Sequence, residues 1–240
     1  MVQWMTEDND VLPFKDCKIS QPEIQVFLLD HMGSDLSVVN AARVSFSKVK
    51  IDLDNSDRKL IQYLAEHNYW SPFSHTCLQF RIKAPIFVAR QLAKHQVGLA
   101  WNEVSRRYVN NEPEFYTPDV WRGTAKNKKQ GSSNEEININ PALGGGPMMV
   151  DDYQQVLKAA KWAYEELLRK GVCPEQARMV LPQSLMTEWY WSGTLYAFAR
   201  VCKLRMSLDA QAETRYVAEQ IGERVKIDFP LSWKALTENE

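Results

Sequence analysis

Residues 78–83 constrain the fold of this chain more than any other segment. Their sequence, Leu-Gln-Phe-Arg-Ile-Lys, places an apolar residue at every second position, which is the pattern of a half-buried β-strand. Pro85 follows directly, and proline suits the first turn of a helix because the N–H that it lacks has no helical partner there. The sequence therefore predicts a strand that leads into a helix, with Arg90 and Lys94 one turn apart on it.

Helices make up most of the other predicted structure. An apolar stripe over 54–68 predicts a helix with Asp54 or Ser56 as its N-cap. Glu175 and Arg178 are three residues apart and are expected to form an ion pair within a short helix. The remaining predictions are ordered structure that opens at 41–45, a turn at 71–73, a helix over 152–170 that stops at Gly171, a short helix from Pro174, a helix after 189–191 and a last helix over 210–225. No internal repeat or domain linker stands out, so a single domain over 1–240 is expected.

Residues 110–151 break this regular pattern. They contain Pro113, Pro118, the run Lys-Asn-Lys-Lys at 126–129 and a glycine triplet at 144–146. The glycines lack the spacing of a phosphate-binding loop. A stretch this long without structure is typically a functional flap or an insertion in a compact domain. We interpret 110–151 as a flexible connection or flap.

Charge and hydropathy exclude several classes of protein. The formal net charge of −1, from 29 Lys and Arg against 30 Asp and Glu, disfavours a nucleic-acid-binding module. The chain has no run of about 18 apolar residues, which a transmembrane helix needs. Residues 1–10 include acidic side chains and lack the apolar centre of a secretory signal. We expect a cytoplasmic protein with no nucleic-acid or membrane partner.

The cysteines favour neither a metal site nor a nucleophile. They are Cys17, Cys77, Cys173 and Cys202, and no two form a Cys-x-x-Cys motif. Reduced thiols are the default for this pattern, and no metal site is expected. Arg200 and Lys203 flank Cys202 and would lower its pKa, but a small core-facing residue on a helix is the favoured interpretation. Cys77 stands in the alternating segment and is also interpreted as structural.

Polar side chains are concentrated in 90–96 and 101–108. These segments hold cations, a histidine, amides, a carboxylate, a hydroxyl and a phenol. Arginine binds phosphate through two parallel hydrogen bonds, and the amides of Gln91 and Asn102 offer both a donor and an acceptor for the edge of a base. Glu103 would orient a ligand or take part in proton transfer. Any one of these residues would also fit a solvated helix face, but their concentration predicts a site for a nucleotide-like anion.

The same segments resemble the signature of the flavin-dependent thymidylate synthases. That family carries Arg-His-Arg, then seven residues, then a serine within Asn-Glu-x-Ser-x-Arg-Tyr. Here Lys94-His95-Gln96 is followed after eight residues by Ser105, within Asn-Glu-Val-Ser-Arg-Arg-Tyr at 102–108. Further blocks that are similar to the family, in the family's order, are 41–46, 71–75, 83–91, 177–182, 204–205 and 210–213. Together they span most of the chain, apart from the long middle segment.

The resemblance implies an α+β fold, a single domain with a central, mainly antiparallel sheet flanked by helices. It also implies a homotetramer whose active sites are shared between subunits. The implied reaction is the reductive methylation of dUMP to dTMP. The resemblance further implies FAD as hydride carrier, NADPH as reductant and methylenetetrahydrofolate as carbon donor, without a cysteine nucleophile.

The resemblance assigns roles to individual positions. Those that would hold dUMP are Gln91, Lys94, Glu103, Ser105, Arg106, Arg107, Arg178 and Arg205. Those that would contact FAD are His75, Cys77, Lys94, His95, Gln96, Glu103, Thr194, Tyr196 and Arg200. The segment 194–200 would reach FAD from another subunit. Arg205 would be the catalytic residue, since its charge would activate the uracil by favouring an anionic N3 region.

Several positions depart from the family pattern. Lys94 and Gln96 stand where the family usually has arginines, so one positive charge and the forked guanidinium geometry are lost. The additional spacer residue requires the loop before Trp101 to bulge or shift. Thr194 and Asp209 replace the Asn and His that the family commonly has. We therefore predict that nucleotide binding is retained and that FAD affinity or folate handling is altered.

Two other functions stay open at this stage. A related flavin-dependent modification of dUMP at C5, such as hydroxymethylation, would use the same fold with a different fate of the one-carbon unit. A catalytically silent nucleotide-binding oligomer would retain the site without the flavin. The mass of the product separates the first alternative from methylation, and the flavin absorbance of the purified protein tests the second.

Overall fold

The computed structural model describes residues 13–14, 17–20, 22–109, 111–126, 131–137 and 149–238. The described chain forms two compact units. The sheet unit contains residues 23–104, 122–135 and 187–240, and the second unit contains the described parts of 1–22, 105–121 and 136–186. The sequence interpretations of 1–10, 127–129 and 144–146 lie outside the described residues. The single-domain assignment stays a prediction.

The sheet unit is built on a main sheet of four strands. Within the described residues, the strands are β1 (Gln25–Met32), β2 (Cys77–Pro85), β3 (Leu99–Glu103), β4 (Arg122–Thr124), β5 (Ser132–Glu136) and β6 (Met186–Thr194). The main sheet has the order β1-β2-β6-β3, and β4 and β5 pair separately. β1 is antiparallel to β2, with Gln25 opposite Lys83, and β3 is antiparallel to β6, with Trp101 opposite Trp191. The structure thus confirms the expected α+β class with a central antiparallel sheet.

Helices make up the rest of the regular structure. They are α1 (Asp35–Arg43), α2 (Asn55–Glu66), α3 (Ile86–Leu92), α4 (Met149–Arg169), α5 (Pro174–Ala177), α6 (Leu195–Arg205), α7 (Ala212–Asp228) and α8 (Pro230–Thr237). Short 3-10 turns cover 44–46, 71–75 and 178–180. The predicted N-cap of α2 is confirmed, because the Asp54 carboxylate accepts the main-chain N–H groups of Ser56 and Asp57.

The core of the sheet unit lies on one face of the sheet. Leu78, Phe80 and Ile82 of β2 are buried, which confirms the alternation seen in the sequence. Phe80 packs edge-on against Phe198 of α6, with ring centroids 5.1 Å apart. Cys202, also on α6, is buried, and its thiol donates to the oxygen of Ala218. Burial of these residues fixes α6 on the sheet and so determines where its last residue, Arg205, lies.

The second unit centres on α4. Leu157 and Tyr164 of this helix are buried, and Gly171, with φ +85°, follows its end as predicted. The buried Lys161 forms an ion pair with Glu112 and donates to the main-chain oxygen of Lys18 at 2.8 Å.

Some predicted boundaries are wrong. Ordered structure opens before 41–45, since β1 and α1 come first in the described chain. Pro85 ends β2 and is the N-cap of α3, as the predicted passage from strand to helix requires, but α3 ends at Leu92. Lys94 therefore lies beyond the helix that was predicted to carry it. The segment 110–151 is not structureless, because it contains β4, β5 and the start of α4.

Candidate functional site

Gln91, His95 and Arg205, three predicted site residues, meet in the sheet unit. Arg205 Nε donates a hydrogen bond to His95 Nε2 at 3.0 Å, and Nη2 donates to the main-chain oxygen of Gln91 at 3.2 Å. Gln91 lies in the last turn of α3, and the main-chain N–H of His95 donates to the oxygen of Leu92. The arginine assigned to activate the substrate is thus held at two points by residues 91–95.

Burial and neighbouring cations keep His95 neutral. Burial lowers the pKa of His95 below its ordinary value of 6.5, and the charges of Arg205 and Arg200 lower that pKa further. Burial also lowers the pKa of Arg205, but a guanidinium stays protonated in proteins. A charged arginine therefore donates to a neutral imidazole.

A chain of polar contacts links this cluster to the start of α7. Gln91 Nε2 donates to Gln211 Oε1 at 2.6 Å, and Gln211 is the N-cap of α7. Two residues further on, Glu213 is buried and accepts a hydrogen bond from Arg122 Nη2 at 2.6 Å. Arg122 Nε also donates to Ser132 Oγ at 3.0 Å. The β4–β5 pair is therefore joined to the first turn of α7.

Sequence reasoning missed this Arg122–Glu213 pair. Arg122 lies in the stretch interpreted as a flexible connection, and Glu213 was noted only as part of a family-like block. Their charges were visible in the sequence, but 91 residues separate them, and no local pattern relates positions so far apart.

The spacer after Gln96 forms a turn. The main-chain N–H of Leu99 donates to the oxygen of Gln96 at 3.1 Å, and Gly98 has φ +77°, a conformation that favours glycine. The oxygen of Gly98 accepts the N–H of Thr194 at 3.2 Å. Thr194 in turn caps α6, because its hydroxyl accepts the N–H of Ala197. The loop that was expected to bulge is therefore tied to the N-terminus of α6.

Glu103, the last residue of β3, is exposed but fixed in direction. Its Oε2 accepts from Trp101 Nε1 at 3.2 Å, and its Oε1 accepts from Thr187 Oγ1 at 2.8 Å. Trp101 stacks on the buried Trp189 with ring centroids 4.5 Å apart. A carboxylate held in this way is suited to accept a hydrogen bond from a ligand.

The other predicted FAD contacts in the sheet unit are separate side chains. Cys77, at the start of β2, and Tyr196, in the first turn of α6, are half-buried. The Tyr196 ring lies 6.3 Å from that of Trp70. The exposed members are His75, Lys94, Gln96 and Arg200. The structure gives no hydrogen bond between any two members of this set within the described residues.

Ser105 and Arg106 lie in the second unit. Ser105 Oγ accepts the main-chain N–H of Arg107 at 3.3 Å. Arg106 Nη1 donates to the oxygen of Asn111 at 2.7 Å, and its guanidinium lies 5.7 Å from the centre of the Tyr164 ring. Arg106 therefore has clear structural contacts, and its role toward dUMP stays a prediction.

Arg107 and Arg178 are the more open cations of the second unit. Arg107 Nη1 lies 3.5 Å from Glu175 Oε1, and its guanidinium lies over the ring of the exposed Tyr108. The predicted pairing of Glu175 with Arg178 is thus wrong, because α5 ends at Ala177 and Glu175 pairs with Arg107. Arg178 is exposed and forms no ion pair with any residue that the structure describes.

The described ranges contain neither a cluster of metal ligands nor a membrane-spanning helix. No group of three His, Cys, Asp or Glu side chains is arranged to hold a metal ion there. No helix there is long and apolar enough to cross a membrane.

Comparisons with known proteins identify relatives over most of the chain. Residues 27–231 match the model of the family described as thymidylate synthase complementing protein. The chain is 41% identical over 214 residues to a flavin-dependent thymidylate synthase of Thermus thermophilus, covering 89% of this chain and 76% of that protein. It is 35% identical over 209 residues to one of Thermosipho africanus, covering 87% and 88%.

A solved structure agrees with these relatives. The crystal structure of the UMP/dUMP methylase PolB from Streptomyces cacaoi, bound with 5-Br dUMP, superimposes with a TM-score of 0.80. The two chains are 30% identical, and the match covers 92% of this chain and 97% of that one.

Proposed function

The chain belongs to the thymidylate synthase complementing protein family, that of the flavin-dependent thymidylate synthases, and we propose that it converts dUMP to dTMP by reductive methylation. The proposed carbon donor is methylenetetrahydrofolate, the proposed cofactor is FAD and the proposed reductant is NADPH. We also propose a homotetramer that shares residues between active sites.

The observation that carries the proposal is the arrangement of Arg205. Its Nε and Nη2 are hydrogen-bonded to His95 and Gln91, whereas Nη1 makes no hydrogen bond to any described residue. A guanidinium held in this way directs its remaining N–H donors at one position, where it would stabilise negative charge on a pyrimidine ring. Because the group is positioned before the substrate arrives, little reorganisation is needed during the reaction.

The donor set of the sheet unit fits a flavin dinucleotide. Lys94 and Arg200 are exposed cations and Gln96 is an exposed amide, which suits a pyrophosphate. His75 and Tyr196 provide rings, and Gly98 lets the main chain turn tightly beside Thr194. When bound, FAD would supply hydride transfer, and these residues would bind and orient it.

The phosphate of dUMP needs cations of its own. We assign this role to Arg107 and Arg178, which are exposed, with the Ser105 hydroxyl as an additional donor. Glu103 would accept a hydrogen bond from the nucleotide or the cofactor through a carboxylate that Trp101 and Thr187 already orient.

A turnover assay tests the proposal. The purified protein is incubated anaerobically with dUMP, methylenetetrahydrofolate and NADPH, and the product is identified by mass. We expect dTMP and a flavin absorbance spectrum. Arg205→Met should lower kcat/KM for dUMP by about 100-fold or more, because one preorganised charged donor contributes about that factor. Flavin oxidation without dTMP, or a hydroxymethylated product, would contradict the proposal.

A further inference from the structure

We propose that His95 is a positioning residue for Arg205: it accepts a hydrogen bond through an unprotonated Nε2 and thereby orients the guanidinium toward the pyrimidine. The identity of the ligand as a pyrimidine rests on the proposed function. The tautomer of His95 and its contact with Arg205 do not depend on that function, and both can be tested in the protein without substrate.

The geometry determines which nitrogen of His95 carries the proton. A guanidinium has five N–H donors and no acceptor, so the 3.0 Å contact between Arg205 Nε and His95 Nε2 requires a lone pair on Nε2. The neutral imidazole must therefore carry its proton on Nδ1. Because Nε2 already accepts a hydrogen bond, His95 can offer only the N–H donor at Nδ1, and no basic nitrogen, to a ligand beside it.

Two hydrogen bonds fix one edge of the Arg205 guanidinium. Nε and Nη2 lie on the same edge of this planar group, and they donate to His95 and to the main-chain oxygen of Gln91. The opposite edge, formed by Nη1 and the second hydrogen of Nη2, is left for a planar ligand that accepts in-plane hydrogen bonds. The Gln91 bond alone would let the group rotate, so His95 supplies the second constraint.

The charges around His95 support a neutral ring. The charged groups that act on it are Arg205 and Arg200, both on α6, and both oppose a proton on the imidazole. No carboxylate of the described residues forms an ion pair with His95. Protonation would replace the acceptor at Nε2 with a donor and place two cations in contact, so Arg205 would lose this bond and its orientation.

Two variants separate the acceptor from the ring. In His95→Gln the side-chain oxygen can accept from Arg205 and does not titrate, whereas His95→Phe retains a ring and has no acceptor. We expect the phenylalanine variant to lose about 10- to 100-fold in kcat/KM for dUMP, as for a hydrogen bond to a charged group. The glutamine variant should recover part of that loss and be more active than the phenylalanine variant, because its side-chain oxygen restores the acceptor for Arg205.

The pH profile distinguishes this role from simple packing. In the wild type, kcat/KM should fall as the pH drops below 6.5 and through the lowered pKa of His95. That limb should be absent from His95→Gln. His67→Gln is the matched control, since His67 caps the end of α2 and its ring nitrogen is hydrogen-bonded only to the main-chain oxygen of Tyr63 in the described structure; this variant should retain the limb. An acid limb that is unchanged in His95→Gln would overturn the proposal.

Nitrogen NMR of the histidine rings tests the tautomer without turnover. The chain has four histidines, and the ring signal that is lost in His95→Gln identifies His95. We expect a proton on Nδ1 and none on Nε2 at neutral pH. A proton on Nε2 refutes the inference even if dTMP is formed, and failure to form dTMP with the expected tautomer refutes the proposed function alone. FAD affinity is measured for each variant, and a loss of activity that tracks FAD affinity alone would also overturn the proposal.

Discussion

The Arg122–Glu213 ion pair attaches the β4–β5 pair to α7, and the structure allows its contribution to the free energy of unfolding to be predicted. Glu213 is only 6% exposed and accepts from Arg122 Nη2 at 2.6 Å, while the arginine side chain is 30% exposed. No described residue bonds to the second carboxylate oxygen of Glu213, which is also buried. Replacing Arg122 with methionine preserves much of the apolar stem and leaves a buried carboxylate without its cation.

The expected cost follows from the burial and the distance. Two unit charges about 4 Å apart attract by roughly 4 kcal/mol at an effective dielectric constant of about 20. Because Arg122 is partly exposed, water recovers part of this energy in the variant, and we expect a net loss of about 2–3 kcal/mol. With a urea m-value of roughly 2–3 kcal/mol per molar for a chain of this size, the unfolding midpoint should fall by about 1 M.

The chain contains a matched control for this prediction. Arg169 Nη2 and Glu166 Oε1 are also 2.6 Å apart, but the arginine side chain is 72% exposed. Arg169→Met makes the same chemical change at the same distance in solvent, and its midpoint should shift far less. Both variants are unfolded in urea at one fixed protein concentration, because the proposed homotetramer would unfold in a concentration-dependent way.

The double variant Arg122→Met with Glu213→Gln completes the test. It removes the buried charge together with its partner, so it should be more stable than Arg122→Met alone. Equal losses in Arg122→Met and Arg169→Met would refute the reasoning, because burial would then have no influence on the cost.

Two further predictions concern the sheet unit. Asp57→Asn should cost about 2 kcal/mol in urea unfolding, because buried Asp57 accepts from Arg43 and Lys50. Burial alone would raise the pKa of Asp57, but these hydrogen bonds outweigh burial and hold the pKa below its usual 3.8. The wild type should therefore lose the stability contributed by the Asp57 carboxylate as the pH falls below 3.8, whereas the stability of the variant should depend less on acid pH. Gly193→Ala should cost about 1–3 kcal/mol, because a Cβ there would come within 3.0 Å of the Gly98 oxygen, and a melting temperature equal to that of the wild type would contradict this contact.

The sequence predicted those parts of the fold that local patterns control. The alternation at 78–83 and the N-cap at Asp54 both depend on residues a few positions apart, and both are confirmed. The end of α3 at Leu92 was not predicted, because Ala93 and Lys94 favour helix. Just beyond Leu92, His95 contacts Arg205, which is 110 residues away in the sequence. The end of α3 therefore coincides with tertiary contacts, which local helix propensity does not predict.

The difference between local patterns and long-range contacts also applies to the candidate site. Glu175 was expected to pair with Arg178, three residues away, but it pairs with Arg107, which is 68 residues away. Gln91, His95 and Arg205 were each named as site residues through a family resemblance, and the structure brings them into contact. Neither the spacing nor the composition of the sequence indicates that His95 accepts a hydrogen bond from Arg205.

Lys94 and Gln96, two departures from the family pattern, flank His95 in the sequence, but neither forms a hydrogen bond to Arg205 in the described structure. Lys94 and Gln96 are exposed, and the longer spacer forms the turn that ends at Leu99. Arg205, by contrast, is held from the side by Gln91 and His95. A change in the exposed segment can alter the affinity for a cofactor without disturbing the two hydrogen bonds that orient the arginine. On this basis we propose that nucleotide binding is retained while FAD affinity or folate handling differs, and that Gln96, in place of the family's usual arginine, leaves the orientation of Arg205 unchanged.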